Sequence, residues 1–486
     1  MSLAPFPALS IYPDRFEAQG SFAEAQKAFL DPDPAEVSRL GVALRASNAG
    51  VVAHFYMDPE LQGVLTRSDW PFIHISDSLM MADRAIEMAQ AGAKVIIVLG
   101  VDFMSENVRA MLDASGFAHV PVYRVAAVPI GCSLAESAEA PAYAAYLRRA
   151  SQTPRSLHVV YINTSLITKA SAHAVVPTIT CTSSNVIKTV LTAFAQVPEA
   201  HVWFGPDTYM GQNLETLFGS LPDLPDEVIA KLHPDHTRES IRALLPRFHY
   251  FQQGTCVVHH LFGAEVAERV RTEYQGAFVT AHLEVPGEMF AVALDAQRQG
   301  RGVVGSTSDI LGFIAARVER QVAKREGTTL RFVLGTEAGM VTSIVERVRT
   351  TLSRARDAGG PEIVVQIVFP VASDAVAASP NAELGIVPGV AAGEGCSTAG
   401  GCATCPYMKM NSLDALLALL DRLPAPAGSL TPFEPRKYLE PVAGRTAAEL
   451  GGEPILHMRA LQQSGRLPPL LVDQVLGTAR VRADTP

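Results

Sequence analysis

Six cysteines lie at positions 132, 181, 256, 396, 402 and 405 of a 486-residue chain. They form no regular disulfide framework. So few thiols in a chain this long point to metal binding or catalysis in a reducing compartment. Four thiolates around a metal make a closed, structural site, whereas three leave a position open for substrate. An iron with an open position acts as a Lewis acid and accepts a leaving hydroxyl. Cys132 and Cys256 are expected as ligands because each falls at the same place in a repeated unit. Cys181, at the end of the apolar run TITC, is expected to be a small buried hydrophobe. The segment GCSTAGGCATC leaves several chemistries open, including half of a zinc site and a redox-active Cys402–Cys405 disulfide. Such a disulfide would make residues 393–405 a redox switch. Spacing alone does not choose among them.

Other polar residues cluster at the ends of apolar runs. His54 and Tyr56 lie in VVAHFYM, Tyr161 and Asn163 in HVVYINTS, and His282 and Glu284 in FVTAHLEV. Residues two apart share one face of an extended strand, so each pair is expected to point the same way. Glu284 and His282 suit acid–base work if a dry site tunes them. His54, Tyr56, Tyr161 and Asn163 suit orienting roles. His259 stands three residues after Cys256, on the same face if that segment is helical. The turns Asp77-Ser78, Thr182-Ser183-Ser184-Asn185 and Ser306-Thr307-Ser308 precede apolar helical runs. Singly these are good N-caps. Three converging helix starts would also hold a multiply anionic ligand through free amides and hydroxyls.

The elements that must position these groups recur three times. Each unit opens with one of the strands above. A strand, polar turn and helix follow: FIHIS-DSLMMADRAIEMA, TITC-TSSNVIKTVLTAF and GVVG-STSDILGFIAARV. A second strand–loop–helix step comes next, then a cysteine before a helix, in IGCSLAES, QGTCVVHHLF and CATCPYMKMN. Alternating strands and helices predict α/β layers with parallel sheets, ligand groups gathering at the carboxyl ends of the strands. The repeat predicts three similar parallel-sheet α/β domains facing one cavity. The expected divisions are an N-terminal extension at 1–40, domains at 41–155, 156–278 and 279–425, and a C-terminal extension at 426–486. Within them, SLPDLPDEVIAKLHPDHTRESIRALLPR is expected to be a helical excursion.

Composition narrows the function. The net charge of -9 argues against a nucleic-acid surface, and the hydrophobic fraction of 48% against disorder. No apolar run approaches the ~20 residues that cross a bilayer, so no membrane is expected. The opening residues read neither as a signal nor as a transit peptide, and the expectation is a cytoplasmic protein.

From His54 to Asn411 the order of HFY, SDSLMMA, GVDFMSENV, GCSLAES, YINTS, CTSSNVIK, GTCVVHHLF, AHLEV, GSTSDI, GTEAGM and CPYMKMNSL resembles the quinolinate synthases, with GCSTAGGCATCPYMKMN most like the plant branch. The resemblance implies a pseudo-threefold arrangement of the three domains around a [4Fe–4S] cluster, with one cysteine ligand from each. It selects Cys405, directly before Pro-Tyr-Met, over Cys402 and Cys396. The implied reaction, on the way to NAD, condenses iminoaspartate with dihydroxyacetone phosphate to quinolinate, losing phosphate and two waters. Catalytic roles carry over to Glu284, Tyr161, His54, Tyr56 and His282. Substrate-binding roles carry over to Ser78, Asn163, Ser183, Thr307 and His259. The implied partners are L-aspartate oxidase or aspartate dehydrogenase as iminoaspartate source, and separate sulfur-transfer and cluster-assembly proteins, since no sulfur-transfer domain is recognised. The sequence departs from the family at His282-Leu283-Glu284-Val285, where many members have His-Pro-Glu-Cys. The competing readings are another three-cysteine [4Fe–4S] dehydratase or reductase and a non-enzymatic iron–sulfur sensor.

Overall fold

The computed structural model describes residues 5–126, 128–371, 404–423, 432–433 and 438–478. The chain opens with an antiparallel hairpin, β1 (Ala8–Ile11) and β2 (Phe16–Gln19). The strands that follow are short and rich in Val, Ile and Leu. The first sheet contains β3 (Ala49–His54), β4 (Ile73–Ser76), β5 (Val95–Leu99) and β6 (Val122–Arg124). The second contains β7 (Ser156–Tyr161), β8 (Thr178–Cys181), β9 (His201–Gly205) and β10 (Phe248–Tyr250). The third contains β11 (Phe278–His282), β12 (Gly302–Gly305), β13 (Thr328–Gly335) and β14 (Ile363–Val368). β3 and β7 are buried along their whole length, as parallel strands covered on both faces must be.

The strand orders are β4-β3-β5-β6, β8-β7-β9-β10 and β12-β11-β13-β14. Counted within each unit, all three read 2-1-3-4, with every pairing parallel. The register repeats as well. His54 pairs with Ser76, Tyr161 with Cys181 and His282 with Gly305. That match sets the end of each unit's first strand beside the polar turn that follows its second. In this topology the chain leaves the first strand toward opposite sides, which opens a crevice at the carboxyl ends.

Two features differ from the sequence expectation. Each sheet has a fourth strand ahead of its cysteine; β6 and β10 are only three residues long, too short for a period to register. Part of the 1–40 stretch is built into the third sheet, where β1 pairs antiparallel with β14. The excursion after residue 220 contains helices Asp226–Leu232 and Arg238–Leu244. Near the C-terminus, helix Ala447–Ser464 opens on a Thr446/Glu449 capping box and stops at left-handed Gly465. It rests on helix Leu166–Val175 so closely that a β-carbon on Gly451 would fall 2.3 Å from the Leu166 carbonyl oxygen.

Candidate active site

One cleft gathers side chains from all three sheets. The first unit contributes His54, Tyr56, Ser78 and Cys132; the second Tyr161, Asn163, Ser183, Cys256 and His259. The third contributes His282, Glu284, Thr307 and Cys405. The structure therefore brings all thirteen residues expected as catalytic, substrate-binding or ligand groups to one place. Cys181 is elsewhere, fully buried in the apolar core. Cys396 and Cys402 lie outside the described residues, and with them the expected Cys402–Cys405 switch.

The strand-end pairs reach the cleft by a different route from the one alternation predicts. β3 stops at His54, β7 at Tyr161 and β11 at His282, so Tyr56, Asn163 and Glu284 stand beyond the strands. In two units the histidine closes the turn itself. His54 Nδ1 accepts the Tyr56 N–H at 3.2 Å, and His282 Nδ1 accepts the Glu284 N–H at 3.3 Å. An Nδ1 that accepts a hydrogen bond leaves the ring proton on Nε2. Burial lowers the pKa of both imidazoles to about 4, so both are neutral near pH 7.

Glu284 is the centre of the polar network. Its Oε1 accepts a short hydrogen bond from the Tyr161 hydroxyl, and its Oε2 lies 3.0 Å from His259 Nδ1. Burial alone would raise its pKa. The neighbouring His259 and His282 and the Tyr161 hydrogen bond overcome that and hold it below the usual carboxylate value. Burial and the neighbouring Glu284 charge keep Tyr161 a phenol. The His259 ring stacks on His282 at 5.1 Å, and its Nε2 has no hydrogen-bond partner among the described residues. A buried donor or acceptor in that state is ordinarily satisfied by water, an ion or a ligand.

The three thiols share a local geometry. Each cysteine begins a helical turn, so backbone N–H groups two or three residues on face the sulfur: Leu134 and Ala135 at Cys132, His259 at Cys256, and Tyr407 and Met408 at Cys405. Burial nevertheless raises the thiols, Cys132 to about 11, Cys405 to about 12 and Cys256 well above its ordinary value. A bound cation reverses that cost by taking thiolate as its ligand. Among the described residues the three sulfurs do not lie within 4.8 Å of one another. Cys256, His259 and Glu284 do place ligand atoms within 4.8 Å, but His259 and Glu284 already engage each other.

The polar turns cap helices as expected. Asp77 Oδ1 accepts the N–H groups of Leu79 and Met80, both at 3.1 Å, and Ser306 forms a capping box with Asp309. Ser78 and Thr307 open those helices at the cleft wall, and Ser183 lies in the turn before helix Val186–Gln196. A Ser184 hydroxyl to Asp77 Oδ2 bond of 3.3 Å joins the first two units. Among the described residues no Lys or Arg lines the cleft, so an anion there would be held by helix ends, hydroxyls and imidazoles. Sequence reasoning missed the apolar wall of Val101, Phe103, Met104 and Met408. Nothing in their types separates them from ordinary core residues.

The sequence matches the protein-family model described as quinolinate synthetase A protein over residues 38–358. It is 54% identical over 481 residues to "Quinolinate synthase, chloroplastic" of Nicotiana tabacum, covering 97% of this chain and 67% of the relative. It is 54% identical over 488 residues to the same-named protein of Arabidopsis thaliana, covering 98% and 68%. A bacterial quinolinate synthase, from Prochlorococcus marinus, is 26% identical over 377 residues, 77% of this chain and 80% of that one. The chain thus spans about two thirds of the length of the plant relatives. The cytoplasmic expectation is corrected by these names. The plant relatives are named chloroplastic.

Proposed function

The chain belongs to the quinolinate synthase family, enzymes of quinolinate synthesis on the way to NAD, and from that membership we propose a specific reaction and set of roles. Iminoaspartate and dihydroxyacetone phosphate condense to quinolinate, with loss of phosphate and two waters. The observation that carries this reading is the convergence of three cysteines and the Tyr161–Glu284–His259 network in one cleft.

Cys132, Cys256 and Cys405 would hold a [4Fe–4S] cluster. Their helix-start N–H groups favour thiolate. When bound, the cluster supplies an open iron that acts as a Lewis acid toward substrate oxygen. The other steps fall to the protein's own groups. Helix starts at Ser78, Ser183 and Thr307 hold phosphate and carboxylates. His54 and His282, neutral and protonated on Nε2, donate hydrogen bonds to substrate oxygens without adding charge. Tyr56 and Asn163 orient the substrate beside them. Glu284 accepts a proton as carboxylate, and Tyr161, hydrogen-bonded to it, delivers one to a departing oxygen. The buried setting excludes water that would hydrolyse the imine.

The test is an anaerobic assay for quinolinate from the two substrates, with Cys132→Ser, Cys256→Ser, Cys405→Ser and Cys181→Ala beside the wild type. The first three are expected to lose cluster and activity and the fourth to keep both. Normal iron and turnover in Cys256→Ser would overturn the assignment.

A further inference from the structure

The third strand of every unit ends in a glycine or is followed directly by one, and the second residue beyond that glycine is acidic: Gly100-Val101-Asp102, Gly205-Pro206-Asp207 and Gly335-Thr336-Glu337. In each unit the cysteine loop returns to this turn. In the first, the Asp102 N–H donates to the Ile130 carbonyl at 2.9 Å, and the Ile130 N–H donates to Asp102 Oδ1 at 3.1 Å, two residues before Cys132. In the second, the Thr208 N–H donates to the Gly254 carbonyl at 2.7 Å, and the Gly254 N–H donates to Thr208 Oγ1 at 3.0 Å, two residues before Cys256. Turn and loop are in backbone contact there, since a β-carbon on Gly254 would fall 2.2 Å from the Pro206 carbonyl oxygen.

In the third unit the contact reaches the cysteine itself. The Cys405 N–H donates to Glu337 Oε1 at 3.0 Å across 68 residues of sequence. The other oxygen accepts the Gly339 N–H at 3.2 Å, and the side chain is fully buried. The same turn touches the first unit. Thr336 Oγ1 lies 3.1 Å from the Tyr56 hydroxyl, and a β-carbon on Gly339 would fall 2.6 Å from the Phe55 carbonyl oxygen. A buried carboxylate is costly unless its oxygens are engaged, and one of the two here is engaged by the backbone of a candidate ligand.

We propose that Glu337 is a positioning residue that sets the Cys405 thiol in the cleft, as the third-unit counterpart of the turns that dock the Cys132 and Cys256 loops. Its bearing on catalysis rests on the reading of Cys405 as a cluster ligand; the docking does not. Asp102 and Thr208 hold their loops two residues upstream of the thiol, so Cys405 is the ligand whose own backbone depends on a single side chain.

The test compares Glu337→Ala with Glu337→Gln, which keeps one oxygen able to accept the Cys405 N–H. In the full-length, cluster-free protein under reducing conditions, iodoacetamide alkylation of each cysteine is followed by mass spectrometry. Loss of this buried hydrogen bond, which leaves the Cys405 N–H without its acceptor, is expected to speed Cys405 alkylation in Glu337→Ala by about tenfold. Cys132 and Cys256 should keep their wild-type rates, and Glu337→Gln should restore most of the protection. After anaerobic reconstitution, the electron paramagnetic resonance spectrum of the reduced cluster should shift in Glu337→Ala and return toward wild type in Glu337→Gln. Should the alanine variant not fold, Glu337→Asp withdraws the carboxylate by one methylene, and the same selective rise at Cys405 is expected. An unchanged Cys405 rate, or an equal rise at all three cysteines, overturns the proposal. A wild-type protein that takes up no iron would defeat the cluster reading while leaving the alkylation result to decide the docking.

Discussion

Glu284 faces two partners of opposite use, a phenol that can give a proton and an imidazole that can share one. A carboxylate held below its ordinary pKa is ionised near neutral pH and so has a free lone pair for a proton. Glu284→Gln keeps the shape and removes the base. The expected result is a normal cluster with turnover reduced ~10²–10⁴-fold, the usual worth of general acid–base catalysis. Activity within a few-fold of wild type would remove Glu284 from that role. A second residue-scale consequence concerns stability. His158 is fully buried in β7 with its Nε2 2.8 Å from the Tyr143 hydroxyl, and burial followed by the nearby His173 lowers its pKa from 6.5 to about 3. A histidine with a depressed folded pKa binds its proton more readily when unfolded. Stability therefore rises with pH through this window and is lost on acidification from about 6.5 toward about 3. Thermal melts across that range should show the fall, and His158→Gln should flatten it. Identical slopes in the two proteins would contradict the argument.

The elements bring polar groups together by repeating one register in three sheets. That makes the helix starts both structural and functional. Ser306→Ala removes the capping box beside Thr307, at an expected cost of about 1 kcal/mol in a urea melt, together with a raised KM for dihydroxyacetone phosphate. A stability loss with unchanged KM would make that helix start a cap only. Much of this level was legible in the sequence, because strand ends and helix starts carry their own signals: apolar runs that stop at His54, Tyr161 and His282, then Ser, Thr and Asp. The pairing His54–Tyr56 was legible as a spacing of two but misread as strand alternation. The turn is closed by an imidazole nitrogen, which no period encodes. The short β6 and β10 and the antiparallel addition of β1 to β14 were not legible, since three-residue strands lack a pattern and pairing across the whole chain leaves no local trace. Glu337 was hidden for the same reason: its partner is 68 residues away.

At the scale of the molecule, each of the three sheets supplies a cysteine and a cluster of polar groups to a cleft that none could form alone. The matching 2-1-3-4 orders support the reading of three similar domains about a pseudo-threefold axis. The central claim is that the shared centre is a cluster held by three thiolates rather than a single ion. The most direct measurement is the iron and acid-labile sulfide content of the anaerobically purified, reconstituted protein. About four irons and about four sulfides per chain are expected. One metal per chain without sulfide, or no iron at all, would contradict it.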